Sequence, residues 1–502
     1  MYKPSGPTNP APSGKTSAGK RRRLRRPAGG RRRIAAPGRA RRVGSRRRIA
    51  GAVRGRAARA QRRTGSGRPR RAGAQRPSAL TPRRRGAKGR AARNGGRPGG
   101  RPHRGRLTGR KTGSARRHSP AARHHHLPAG PTLALERGVN LIGLARKEIG
   151  IGESCRLAAG ALEAAGIPFG ILNLPGVSAA REMDTTWAHK EMKSAVYRTN
   201  IIHLNPDTLR YAYQYFGRGV FRGRFNIGYW HWELPDLPDD FLQGFKLVQE
   251  VWAPSAFVCE SIARKSPVPV VRIPHGIAPR PLPGIGRDHF GLPHDRFLFL
   301  TMYDTNSYRQ RKNPQATIAA FQAAFEKNAP EVGLVLKVNN LQSSPSDLGI
   351  LKQLTAGHDN IYIIDRTLSR REVDSLLDCT DCFVSLHRSE GFGLGLAEAM
   401  YLGKPVIGTN WSGNTDFMSE SNSCPVRFTI VRVGRNYGPY KAHQHWAEPD
   451  IAHAADYMRR LVADSEWRQS IAANGQHTIL TEFSPQAVGE MIRRRLTERG
   501  LI

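Results

Sequence analysis

The sequence predicts an α/β protein of two doubly wound parallel-sheet domains, preceded by a disordered basic leader. Three observations lead there. Composition breaks sharply near residue 130, and beyond it apolar runs alternate with helical segments. A Pro- and Gly-rich stretch between 277 and 288 then divides that alternation into two series.

The leader comes first. Of the 82 Lys and Arg in the 502 residues, 41 lie in residues 1–130, which contain no Asp or Glu. The rest of the chain holds 41 basic against 38 acidic residues, so almost all of the +44 charge belongs to the leader. With one aromatic residue, Tyr2, it cannot bury enough apolar surface to offset chain entropy and is expected to be disordered. Its arginine-rich segments at 21–26, 31–35 and 46–50 suit polyanions, either nucleic acid or an anionic membrane surface. The same composition fits translation from a start codon placed too early, and residues 124–126 form a His run too short to argue a metal site. No apolar signal region and no run of 18 apolar residues occurs. Five cysteines, few and odd in number, argue for reduced thiols and a cytoplasmic setting. Of the open readings of the leader, the membrane-surface one implies peripheral attachment at the inner face of the membrane. Cys379 and Cys382 form a C-x-x-C without a second pair and read as core.

The first domain is expected over 138–280. It opens with a strand at 139–144, a turn at Gly150-Ile151-Gly152 and a helix over 153–165 ended by Gly166 and Pro168. Apolar runs at 169–174, 201–204, 225–230, 251–253 and 270–273 supply the remaining strands. The second domain, 288–480, has strands at 297–302, 332–338 and 361–364, with helices over 314–328, 346–356 and 369–377. A last helix is expected within 484–502.

The most telling segment is SLHRSEGFGLGLAEAMYLGKPVIGTNWSGNTDFM, residues 385–418. A buried strand over 382–386 leads into a glycine loop, a helix over 396–400 and a second strand over 405–409. In such a unit the helix N-terminus offers free N–H groups and a positive dipole end to a phosphate. Glu390 and Glu398, with seven residues between them, would repel phosphate but accept hydrogen bonds from hydroxyls. Phosphate beside hydroxyl-rich groups describes a nucleotide sugar.

The E-x7-E within S-E-G-F-G-L-x-x-A-E-A-M, followed by G-K-P-V-I and an S-G-N segment, resembles the donor site of family 4 glycosyltransferases. The resemblance covers about 138–495 and implies the GT-B fold, two Rossmann-like domains facing a cleft. It also implies transfer of a sugar from a nucleotide-sugar donor to a glycan, lipid-linked or small-molecule acceptor, with retention. By that analogy Glu390 holds the transferred sugar and Glu398 the ribose, with Gly391, Phe392, Gly393 and Leu394 around the diphosphate. Lys312 fits the family's lysine as a catalytic phosphate contact, whereas Asn306 stands where an arginine is usual, so Arg309 or Arg311 is the candidate substitute. Gly150 and Gly152 approach the diphosphate from the first domain, and Arg366 lies in the 365–368 loop assigned to the nucleobase.

His231 sits in Y-W-H-W-E-L-P at a strand end and is a candidate catalytic group, while its aromatic neighbours fit either sugar stacking or core packing. His203 is a further cleft candidate that also fits plain packing. No D-x-D segment stands in a metal-binding context, so no metal and no cofactor besides the donor is expected. Rival readings are a GT-B epimerase, a phosphorylase, for which no pyridoxal-phosphate lysine context is found, and a nucleic-acid-binding protein with a degenerate enzyme domain.

Overall fold

A computed structural model describes residues 135–177 and 180–502. The expectations for the leader, including its polyanion-binding clusters, lie outside the described residues. Among the described residues, no helix is long and apolar enough to cross a membrane.

Six strands form the first sheet: β1 (Glu136–Gly143), β2 (Phe169–Asn173), β3 (Tyr197–His203), β4 (Phe225–Tyr229), β5 (Glu250–Ala253) and β6 (Val270–Arg272). All pair in parallel, in the order β2-β1-β3-β4-β5-β6. The second sheet holds β7 (Phe297–Asp304), β8 (Val332–Asn339), β9 (Ile361–Ile364), β10 (Cys382–Ser385), β11 (Val406–Thr409) and β12 (Cys424–Val426). It is also parallel, in the order β12-β11-β10-β7-β8-β9. Burial on both faces explains why the inner strands read as continuous apolar runs, while the edge strands β6 and β9 stay partly exposed.

Chain direction across each sheet reverses once, between β1 and β3 in the first and between β7 and β10 in the second. Ligands of doubly wound sheets bind at the carboxyl ends of the strands flanking such a reversal. Those four ends carry the 144–149 loop, His203 and Asn205, the 305–313 segment, and Glu390 with its glycine loop.

Helices cover both faces of both sheets. On the first, α1 (Gly150–Ala164) lies on one face, while α2 (Pro206–Phe216) and α3 (Ala256–Ala263) lie on the other. Around the second sheet come two single turns, α4 (Arg287–Phe290) and α5 (Arg309–Lys312), then α6 (Pro314–Ala324) and α7 (Pro345–Thr355). The longer elements that follow are α8 (Arg370–Cys379), α9 (Leu394–Tyr401), α10 (Ile451–Ala463) and α11 (Ser465–Glu482). The last helix, α12 (Pro485–Glu498), returns to the first domain, where Val488, Ile492 and Leu496 join Ala159 and Leu162 of α1 in one core.

An antiparallel hairpin of β13 (Phe428–Arg432) and β14 (His445–Pro449) has no counterpart in the sequence reading. Its loop spans the domains: Val433, Tyr440 and Trp446 are buried with Trp230 and Trp232 of the first domain. Tyr440 donates to Glu233 Oε2 at 3.0 Å, and Gln444 donates to the Asp236 carbonyl, also at 3.0 Å. These contacts settle the aromatics around His231 as core: Trp230 and Trp232 are almost wholly buried. Cys382 is buried and Cys379 half-buried; both thiols are free.

Candidate functional site

The two strand-direction reversals open on one cleft of about 750 Å³. From the first domain, the loop after β1 turns into α1 with no side-chain cap, so helix geometry leaves the N–H groups of residues 150–152 without carbonyl partners. The two glycines there differ in what requires them. A Cβ on Gly150 would meet nothing within 4 Å, whereas one on Gly152 would stand 2.2 Å from the Lys147 carbonyl oxygen. Gly152 is thus demanded by close backbone approach, and Gly150 keeps the cleft wall low. Arg156 fixes the loop from behind, donating from Nη1 to the carbonyls of Ala145 (2.8 Å) and Lys147 (2.9 Å). Glu153 and Asp184 neutralise that guanidinium.

Facing it from the second domain is α9. Gly393 precedes the first turn with φ +100°, a value L side chains rarely adopt, and no side chain caps the helix. The amides at its start are therefore directed at the cleft, with Gly391, Phe392, Gly393, Leu394 and Gly395 all in the cleft wall. The Phe392 ring packs edge-on against His275 of the first domain at 4.9 Å and against Phe417 and Phe483, so its ring is an interdomain core contact.

Between the two helix starts lies a charged cluster. Lys312 Nζ donates to Glu390 Oε1, Arg311 Nη1 stands 3.2 Å from Glu390 Oε2, and Arg311 Nη2 stands 3.7 Å from Glu233. Burial alone would push the Glu390 carboxyl up, but Lys312, Arg311 and His387 outweigh it and hold the group at about 2. Burial lowers the Lys312 ammonium, with Glu390 opposing. The Glu390 backbone is clamped as well: its N–H donates to Ser412 Oγ (2.8 Å) and its carbonyl accepts from Gly413 (2.9 Å).

Glu398 also lines the cleft, 3.0 Å from Arg370. Burial raises its carboxyl; Arg370 opposes this, while Asp374 and Glu153 add to the rise. Arg370, which the sequence reading did not single out, holds this carboxylate and Asp374 together.

The basic residues of α5 separate. Arg311 and Lys312 reach Glu390, whereas Arg309 turns away to Asp347 at 2.5 Å and stays out of the cleft wall. Arg366 is half exposed, lies over Phe290 and donates to the His289 carbonyl at 3.0 Å; from its loop Leu368 is the residue that lines the cleft. His203 packs: it stacks on Tyr229 at 4.1 Å and pairs with Ser154 at 3.1 Å. Among the described residues, no group of three or more His, Cys, Asp or Glu could hold a metal ion.

His231 lines the cleft, and among the described residues neither ring nitrogen has a hydrogen-bond partner. Burial lowers its imidazole to about 4, so it is neutral near pH 7. The unfolded chain protonates this residue below its ordinary value near 6.5 while the folded one does not, so folding loses stability as pH falls between those values. Per pH unit in that window His231 should cost about 1.4 kcal/mol. His231→Asn should flatten the measured dependence of unfolding free energy on pH by that amount, and an unchanged slope would show that His231 does not stay neutral on folding.

Residues 300–425, which span β7 to β12 and hold Lys312, Glu390 and Glu398, match the family described as Glycosyl transferases group 1. No curated protein sequence matches the chain. Among solved structures, sucrose-phosphate synthase from Thermosynechococcus elongatus is similar with a TM-score of 0.53 at 15% identity, over 72% of this chain and 99% of that one. A glycosyltransferase from Rickettsia africae gives 0.52 at 14%, over 72% and 98%. Anabaena HepE in complex with UDP and glucose gives 0.51 at 14%, over 72% and 100%. With that family match set on these two facing sheets, the chain is a glycosyltransferase of the GT-B fold.

Proposed function

We propose that the cleft transfers a sugar, with retention and without a required metal ion, from a nucleoside diphosphate sugar to a hydroxyl-bearing acceptor, as in family 4 glycosyltransferases. The observation that carries this is the opening of two uncapped helix starts, α1 and α9, from opposite domains onto the Lys312–Glu390 pair. Two dipole ends and a lysine supply fixed positive potential for a diphosphate, where negative charge grows as the bond to the anomeric carbon breaks. The acceptor oxygen takes over that carbon, and its proton passes to the departing diphosphate. Glu390, held ionised, accepts from hydroxyls of the transferred sugar, and Glu398 accepts from the ribose. The unpartnered His231 nitrogens suit a sugar or acceptor hydroxyl. HepE, a neighbour of the same fold, was solved with UDP and glucose, which agrees with a nucleotide-sugar donor.

Release of nucleoside diphosphate from a panel of nucleotide sugars in EDTA tests the reading. In that assay Glu398→Gln should raise the donor KM, and Glu390→Gln should lower kcat, each about tenfold or more. Absence of turnover with every donor, together with no binding of any nucleoside diphosphate, would remove the donor site.

A further inference from the structure

We propose that Lys337 reads the donor's nucleobase by donating a hydrogen bond to an exocyclic carbonyl oxygen, so that the cleft favours uracil and guanine nucleotides over adenine ones. The inference rests on the donor-site reading above and specifies its nucleobase.

Position along the sheet edge comes first. The strand order β10-β7-β8-β9 places, in turn, the Glu390 loop, the segment leading to Lys312, Lys337, and the loop that ends in Leu368. Strands β10 and β8 flank β7, so their ends stand about 10 Å apart. A diphosphate gathered at the α9 start and Lys312 would therefore put its nucleoside over β8 and β9. Lys337 pairs in register with Met302 on one side and Ile364 on the other, and it lines the same cleft as Met302, Leu368 and Val373. Those three apolar side chains suit the faces of a flat ring.

Its chemistry comes next. Lys337 is 2% exposed, yet among the described residues no carboxylate lies within ion-pairing distance of its ammonium. Its hydrogen bonds go to Asn339 Oδ1 at 2.5 Å and, at 3.4 Å, to the Val338 carbonyl. An ammonium has three donors, so one good acceptor leaves this buried group short of partners. Burial lowers it to about 8, with Asp304 and Asp365 opposing, so it remains mostly charged at neutral pH. A charged donor on the cleft wall that is short of acceptors favours an acceptor oxygen there, as on uracil or guanine. The exocyclic amino group of adenine would set donor against donor.

Calorimetry on the full chain with UDP, GDP and ADP in EDTA tests this. UDP or GDP should bind at least about tenfold more tightly than ADP, and Lys337→Met should remove most of that preference while leaving ADP affinity nearly unchanged. The wild-type ranking needs no variant, and thermal unfolding checks that Lys337→Met folds. ADP binding as tightly as both others, or a variant that weakens all three alike, would overturn the role of Lys337 and leave the donor site standing. If none of the three binds, the donor site itself fails.

Discussion

Lys312→Ala is expected to lower kcat by about a hundred- to a thousandfold, with a much smaller change in donor KM, because a fixed cation facing developing charge acts mainly in the transition state. The ammonium is paired with Glu390 and partly desolvated, which is where such a charge acts most strongly. Arg311 does not replace it, since that guanidinium is already shared among Glu390, the Ser389 carbonyl and Glu233. Arg309→Ala is the control: its partner is Asp347, outside the cleft wall, so kcat should move less than about threefold. Equal losses from both variants would mean that α5 acts as a folded unit and that Lys312 holds no separate role. Steady-state kinetics with matched unfolding curves distinguishes these outcomes.

What could be read from the sequence followed how local each signal is. The strand, glycine loop, helix and strand over 382–409 were legible because Gly393, the apolar runs and the change of period all lie within thirty residues. Glu390 and Lys312 were each identifiable, but their contact spans 78 residues and depends on β10 lying beside β7. Arg309, Arg311 and Lys312 could not be told apart, because a single helical turn sends them in different directions that only their partners reveal. Lys337 was hidden in an apolar run, where one lysine looks like a solvated strand position. Arg370 reads as the first residue of a helix with a Ser369–Glu372 capping box, and nothing nearby points to Glu398. The β13–β14 hairpin escaped notice because its loop is held by Glu233, Asp236 and Trp232 of the other domain.

The attachment of α12 to the first domain yields a second large effect. Glu250 on β5 is fully buried, and its carboxylate accepts from Arg495 Nε and Nη2 (2.9 and 2.7 Å), from Arg499 Nε and Nη2 (2.9 and 2.8 Å), and from Trp252 Nε1 (2.7 Å). Burial would raise this carboxyl, but Arg495, Trp252 and Arg499 together bring it below its ordinary value. The partners are unequal in exposure, since the Arg495 and Arg499 side chains keep 21% and 35% of theirs. That makes the cost of breaking the cluster depend on which side is removed. Arg495→Ala with Arg499→Ala strands a carboxylate in the interior and should cost about 3–5 kcal/mol of unfolding free energy. Glu250→Leu leaves two arginines that can turn into water and fills the space with an apolar side chain, so its cost should be about 1–2 kcal/mol. Denaturant unfolding of the three proteins gives the comparison, and a Glu250→Leu loss as large as that of the double variant would show that the carboxylate, not its burial without partners, is what stability depends on. Because α12 packs on α1, whose first turn opens on the cleft, the double variant should also raise donor KM. The same helix then links the chain's C-terminal segment to the positioning of the amides at 150–152, and a donor KM unchanged in a weakened protein would separate the two.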